Sequence, residues 1–318
     1  MKNDAGTHTS GVNTGSVYNE SIGYTFFKTL TVQSLRPEAI RCIISILSNF
    51  FLRQYHAAWL PGRVPVSKVD HPLDQKIPFV PAWVTIYIDF VCFWIRMLAF
   101  LLHTYRHKAY DAVREFIISM GRLYAFAAEA YRKNFSTTER PFYIARPRFF
   151  LIHLVDPHLM CIPSLHVMVV VYTYKKFIAI LHSFGEAEKY TAQIEEMRQG
   201  ALAISQAILF VKQHSVNCIP AAYYALTRFA PCLFPPHEAE AFNDQLFQRR
   251  ESKGDGLETR RKNSNVHPCS APQTEIPECD AAEIKAHIIS LYREFIKEGK
   301  TTHSWEDPLL FFLKKMPQ

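Results

Sequence analysis

Apolar residues recur at helical spacing along most of the chain. Within residues 24–60, Ile40, Ile43, Ile44, Leu47, Phe50 and Phe51 form one stripe, with Arg36, Arg41 and Arg53 on the polar side. The pattern predicts an interfacial helix or a short membrane helix. A connector bearing Pro61, Pro65, Pro72 and Pro78 follows. Phe79 to Leu102 is almost continuously apolar, long enough at about 1.5 Å per residue to cross ~30 Å of hydrocarbon. Asp89 and Arg96 interrupt it seven positions apart, hence on one helical face, which predicts that they point at other helices and not at lipid. Val113, Phe116, Ile117, Met120, Leu123 and Phe126 predict an amphipathic helix over 108–132, and Asn134 to Thr138 a polar loop. Residues 149–182 and 200–227 predict two strongly apolar helices, the second kinked near Pro220. A charged helical excursion over 185–199 separates them.

Polar segments bracket this region. Residues 1–23, rich in Gly, Ser, Thr and Asn, read as a disordered tail without a signal-peptide pattern. Residues 235–281, with Arg249, Arg250 and the run Arg260 to Lys262, read as a polar linker. Residues 282–318 hold a C-terminal amphipathic helix (Ile284, Ile288, Leu291, Tyr292, Phe295) and a tail. The helical domain then spans 24–234. The expected fold class is all-α, a bundle of about six helices embedded in a membrane as an integral, multi-pass protein.

Composition sharpens part of this. The 318 residues carry a net charge of +7, with 48% hydrophobic and 14% aromatic residues. The basic residues are scattered, not clustered, so no nucleic-acid partner is expected. Basic residues flanking apolar helices suit an anionic lipid surface. A mean hydropathy of −0.06 is low for a membrane bundle and keeps open a buried helix of a soluble all-α protein over 79–103. Seven cysteines show no Cys-x-x-Cys pair and read as free thiols; no metal site and no cofactor are expected.

Three short stretches carry candidate chemistry. Asp156 to Val167 contains Pro163-Ser164-Leu165-His166 at the head of an apolar run. Pro163 suits the first turn of a helix. The unpaired N–H groups and positive dipole end there suit a phosphate, with Ser164 donating a hydrogen bond and His166 a proton. The alternative is an ordinary helix start with a histidine satisfied by a carbonyl. Lys212-Gln213-His214 lies inside another apolar segment, where such residues are costly unless paired or lining a cavity. Upstream stands Lys133, then Arg140-Pro141, with Arg146-Pro147 a competing copy. A guanidinium grips two phosphate oxygens; Lys133 offers a point charge or is a solvated helix end.

Together these stretches resemble the type-2 phosphatidic-acid phosphatase superfamily, nearest its membrane lipid phosphatases and lipid phosphotransferases with Pro-Ser-Leu-His. The order Lys-x6-Arg-Pro, Pro-Ser-x-His and a later helix ending in histidine is the family's, over about residues 75–230. The resemblance implies that His214 attacks phosphorus to form a phospho-histidine and that His166 protonates the leaving alkoxide. Lys133, Arg140, Ser164 and Lys212 would bind the phosphoryl oxygens, the cationic groups taking a metal's place. Two departures stand out: Ile208 occupies the family's arginine position, and Cys218 occupies that of the aspartate that orients the nucleophilic histidine. Asp156 or Asp89 is then a candidate orienting carboxylate. The expectation is a metal-independent phosphatase of a lipid or isoprenoid phosphate. A lipid phosphotransferase and an inactive membrane protein of the same fold are the alternatives.

Overall fold

The computed structural model describes residues 15–59, 64–143, 145–248 and 276–317. Almost every apolar stripe is helical, but loops and caps cut the long ones. The order is α1 (Ile22–Thr31), α2 (Arg36–Ile46), α3 (Leu52–Trp59), α4 (Pro72–Lys76), α5 (Val84–Ile88), α6 (Phe90–Tyr105), α7 (Tyr110–Lys133), α8 (Pro147–Val155), α9 (Leu165–Ser183), α10 (Thr191–Phe210), α11 (Cys218–Phe229), α12 (Pro236–Asp244), α13 (Ala281–Glu298) and α14 (Asp307–Lys315). The class is all-α. The helices are more numerous and shorter than the about six expected, because the breaks fall at residues that periodicity does not mark.

The centre is α9. It packs on α6, α7, α10 and α11, and its residues from Leu165 to Tyr174 are all buried. Its valine run has modest helix propensity, so burial, not propensity, holds the helix. The stretch 79–103 breaks at Asp89, between α5 and α6. Asp89 and Arg96 are both buried and form a 2.9 Å ion pair, on one face as their spacing predicts. Such a pair is stable only because each charge finds its partner inside the bundle.

Four expectations about segments change. The region 200–227 is two helices, not one kinked helix; Pro220 lies in the first turn of α11, where a missing N–H costs nothing. Within Asn134–Thr138, Phe135–Thr137 is a strand, β2, running parallel to β1 (Val66–Lys68) with Ser67 opposite Ser136. In the segment 1–23, Val17 and Tyr18 are buried in the core, and Gly200 of α10 leaves room for the Tyr18 ring; residues 1–14 lie outside the described residues. In 235–281, α12 continues the bundle and buries Phe242; Arg249, Arg250 and Arg260 to Lys262 lie outside the described residues. The predicted C-terminal stripe is real: Ile284, Ile288, Leu291, Tyr292 and Phe295 of α13 are buried, and α13 packs on α11.

Among the described residues one helix, α9, is by itself long and apolar enough to cross a membrane, and 72% of its apolar window is buried inside the molecule. The stripe on α2 and the turn after it faces outward instead: Ile44, Leu47 and Leu52 are exposed, as are Phe27 on α1 and Trp59 on α3.

Candidate functional site

Four chain segments converge on His214. The first is the turn that carries it. Lys212 takes a left-handed conformation (φ 54°) just past α10. The N–H of Gln213 donates to the Ile208 carbonyl at 3.0 Å and that of Lys212 to the Leu209 carbonyl at 3.0 Å. This paired pattern closes a helix C-terminus and is usually built on glycine. Lys212 therefore ends the helix, and its ammonium donates to the carbonyls of Asp74 and Ile77, the latter at 2.5 Å. It does not reach toward the histidines. Asp74 pins the far side of the turn, accepting from the Val216 N–H at 2.8 Å.

The second segment is the head of α9. Pro163 does not lie in the first turn as expected: the helix starts at Leu165 with Ser164 as its cap, and the Ile162–Pro163 bond is cis. Ser164 makes no capping bond, and its hydroxyl is buried without a partner. His166 stacks on Tyr87 (ring centroids 4.4 Å) and touches Phe90 (4.1 Å). Its ring and that of His214 stand edge to face at 5.3 Å, and each residue is only 8% exposed. Burial, then the neighbouring His214, pushes His166 down to about 3, so its imidazole is neutral near pH 7.

The third segment supplies Arg140. Its guanidinium donates to Gln213 Oε1 at 3.3 Å and to the Asp156 carbonyl at 3.4 Å. It thus joins the residue before His214 to the loop before α9. Lys133 and Arg146 lie elsewhere. Lys133 pairs with the buried Glu306 at 2.5 Å, and Arg146 is an exposed residue at the start of α8.

The fourth segment, Asp156 to Cys161, holds residues to which the sequence reading assigned no role. His158 is left-handed (φ 60°), and its N–H donates to Asp156 Oδ1 at 2.9 Å, a local turn that aspartate favours. The imidazole meets Asp156 Oδ2 at 3.9 Å through Nδ1. Through Nε2 it meets Thr138 Oγ1 at 2.8 Å and the Cys161 sulfur at 3.7 Å. Leu159 to Ile162 runs beside β2: the Cys161 N–H donates to the Ser136 carbonyl at 3.2 Å and the Ile162 N–H to Ser136 Oγ at 2.7 Å. Cys161 is thereby held beside His158, in the electrostatic neighbourhood of Cys218, the first residue of α11, and of His214.

The charges in this cluster are mutually set. Burial opposes ionisation of Cys161, but a hydrogen bond from Cys218 and the adjacent His158 and His214 hold its thiol well below the ordinary range. Burial and the neighbouring Cys161 push Cys218 well up. Burial opposes the cation on His158, yet Cys161 and Asp156 hold it up at about 9. Burial likewise opposes the Asp156 carboxylate, and His158 and Arg140 keep it below its usual value. Asp156, His158 and Cys161 thus stand in series, each shifted by its neighbours toward its charged form. The Asp-x-His-x-x-Cys spacing was visible in the chain; only its approach to His214 was not.

Thus Arg140, Asp156, Ser164, His166, His214 and Cys218 belong to three loops and two helix starts at one end of α9, while Lys133 and Lys212 make other contacts and Arg146 is exposed. Among the described residues no group of three or more His, Cys, Asp or Glu side chains has a metal-binding arrangement. Arg140 and Asp156 are only half-buried, and beside them the surface is apolar: Phe142 is 83% exposed, and Phe150, Leu151 and Leu154 on α8 are exposed too. No family model, no curated protein and no solved structure matches this chain.

Proposed function

We propose that the protein is a metal-independent phosphatase acting on a lipid phosphate at a membrane surface, through a phospho-histidine on His214. The observation that carries this reading is the facing of His166 and His214 at 5.3 Å, with Arg140 tied to Gln213 beside them. A nucleophile, a proton donor on the opposite side and a phosphate-binding guanidinium are the minimum set for in-line displacement at phosphorus. Ser164, whose buried hydroxyl has no partner, supplies a further donor. The apolar surface at Phe142 and α8 is the reason to favour a lipid over a soluble phosphate ester.

In the first step a ring nitrogen of His214 bonds to phosphorus as the ester P–O bond breaks. His166 gives a proton to the departing alkoxide. That proton enters with the substrate: the negative charge of a phosphate between the two rings reverses the balance that keeps His166 neutral. In the second step water attacks phosphorus, the P–N bond breaks, and neutral His166 takes the water's proton. Transfer to a lipid hydroxyl instead of water is the same second step with a different acceptor.

The test is phosphate release from a panel of lipid phosphates with a chelator present, together with trapping of an acid-labile phospho-enzyme. The wild type should show both, and His214→Ala neither. Absence of turnover and of phospho-enzyme in the wild type would favour an inactive protein of this architecture.

A further inference from the structure

Between α2 and α3, Leu47–Phe51 is a π-helix, a winding that is rare and is found frequently at functional sites. Two arginines meet there. Asn49, inside the turn, donates to the Ser45 carbonyl at 3.0 Å, and its Oδ1 accepts from Nη2 of Arg132, in the last turn of α7, at 3.2 Å. Arg53 follows Asn49 by four positions, about one turn on along the same helical path, and so leaves the same side of it. Arg53 is half-buried, and its Nε–H is buried without an acceptor. A guanidinium left so is costly unless an anion completes it. Among the described residues neither Arg53 nor Arg132 pairs with a carboxylate, whereas Arg41 of α2 and Arg114 of α7 share Glu38. Burial, then the neighbouring Arg132, hold the Arg53 guanidinium below its ordinary range, as two cations without an anion between them require. Around this pair the surface is apolar: Leu47, Phe51 and Leu52 are exposed.

We propose that Arg53 and Arg132 form a binding site for the headgroup phosphate of an anionic phospholipid, with Leu47, Phe51 and Leu52 entering the acyl region beside it. Each guanidinium presents a planar fork of N–H donors that matches two phosphate oxygens. The arginine stems lie along apolar surface while the charged heads reach the interface. A soluble phosphate or a nucleic-acid backbone would satisfy the guanidinium groups but would leave the three apolar side chains in water. The site is separate from Arg140, which lies on another segment with its own partners. The two are nevertheless joined through α3. Gln54, next to Arg53, is buried, and its Oε1 accepts from the Leu159 N–H at 3.3 Å. A lipid held at Arg53 therefore keeps the loop that carries Asp156 and His158 at the bilayer surface. The relevance of that consequence to catalysis rests on the phosphatase reading above; the binding itself needs neither His214 nor turnover.

The experiment is sedimentation of the full chain with two kinds of vesicle. One is phosphatidylcholine alone; the other also contains phosphatidylglycerol, a phosphodiester that phosphomonoester hydrolysis does not consume. Arg53→Gln, Arg132→Gln, Arg53→Lys and Arg140→Ala are compared with wild type. Wild type should bind the anionic vesicles much better than the neutral ones. Each glutamine variant should weaken that binding about fivefold. Arg53→Lys keeps the charge but loses the planar fork, and should bind more weakly than wild type. Arg140→Ala should bind as wild type does. Glutamine variants that bind like wild type overturn the proposal, as does equal binding to both kinds of vesicle. A lysine variant equal to wild type overturns it too, leaving only diffuse charge. So does an Arg140→Ala loss as large as that of Arg53→Gln, which would put the lipid anion at the candidate catalytic site. Release from the vesicles by inorganic phosphate, at constant ionic strength, would make a soluble phosphate the ligand and also count against it. If Arg53→Gln does not fold, Arg132→Gln and Arg132→Lys, at an exposed position, decide the question by the same comparisons. Vesicle binding that follows these expectations in a wild type without phosphate release would sink the phosphatase reading alone.

Discussion

Lys133 and Arg140 stand seven positions apart with the same charge, and their partners separate their roles. Lys133 neutralises Glu306, whose side chain is 7% exposed, and so fastens the segment before α14 to the end of α7. Removing the lysine leaves a buried carboxylate unpaired. Lys133→Ala should therefore cost about 1–2 kcal/mol of stability, seen as a lower melting temperature, with phosphate release within a few-fold of wild type. Arg140 has only two long hydrogen bonds, at 3.3 and 3.4 Å, to uncharged oxygens. Its charge is thus available to a phosphate. Arg140→Ala should leave the melting temperature nearly unchanged and lower turnover by ~10²-fold or more. The reverse pattern would exchange the two roles. At this scale the chain also misleads: Lys212 sits beside Gln213 and His214 as a phosphate-binding lysine would, yet a left-handed backbone at the end of α10 aims it at the carbonyls of Asp74 and Ile77. Nothing in residue type reports a backbone dihedral.

Among the elements, α13 is joined to the turn that carries His214 through a histidine stack and a hydrogen bond. His287 of α13 lies on His71, the cap of α4, with ring centroids 4.1 Å apart. Its Nε2–H donates to Asn217 Oδ1 at 2.8 Å, and the Asn217 amide donates to the Val69 carbonyl at 3.1 Å. Burial, then the neighbouring His71, pushes His287 down to about 4 from an unfolded value near 6.5. Between those two values the unfolded chain binds more protons than the folded one, so stability falls as pH drops through that window. The ring is only partly buried, and solvent screening reduces the effect to the order of 1 kcal/mol. The protection of α13 amides, relative to their intrinsic exchange rate at each pH, should fall between pH ~6.5 and ~4, and His287→Gln should flatten that response. An α13 insensitive to pH, or equally sensitive in the variant, would show that the stack does not hold it.

For the molecule as a whole, the outward apolar faces are the feature without an internal explanation. Ile44, Leu47, Leu52 and Trp59 are exposed on one side, with Arg53 and Arg132 nearby, and Phe150, Leu151 and Leu154 are exposed next to Arg140. Apolar side chains rimmed by arginine suit insertion into an anionic lipid surface. The protein should sediment with vesicles containing anionic lipid and do so less at high salt. A double change, Ile44→Asp with Leu52→Asp, touches exposed positions only and should weaken vesicle binding by about tenfold or more without lowering the melting temperature. Unchanged binding would place the contact elsewhere.

The sequence by itself determined the class of the fold and most of its buried faces, because those follow from period alone. The stripes on α7 and α13 and the pairing of Asp89 with Arg96 were legible before any coordinates. So were the two histidines that meet at 5.3 Å. Hydrophobic periodicity says which face of a helix is dry, but not whether what lies outside is protein or lipid. Only the packing showed that α9 is enclosed by α6, α7, α10 and α11 while α2 is not. Breaks in helices were equally hidden, since caps at Asp89, Lys212 and Ser164 depend on dihedrals and partners from distant segments. The decisive case is Cys161. It lies fifty-three residues before His214 in the chain and reads there as one more buried thiol. A short parallel strand pair and a bond to Ser136 bring its sulfur against His158, whose ring faces that of His214. His158 and Cys218 hold its thiol well below the ordinary range, two neighbours that only the tertiary fold supplies together.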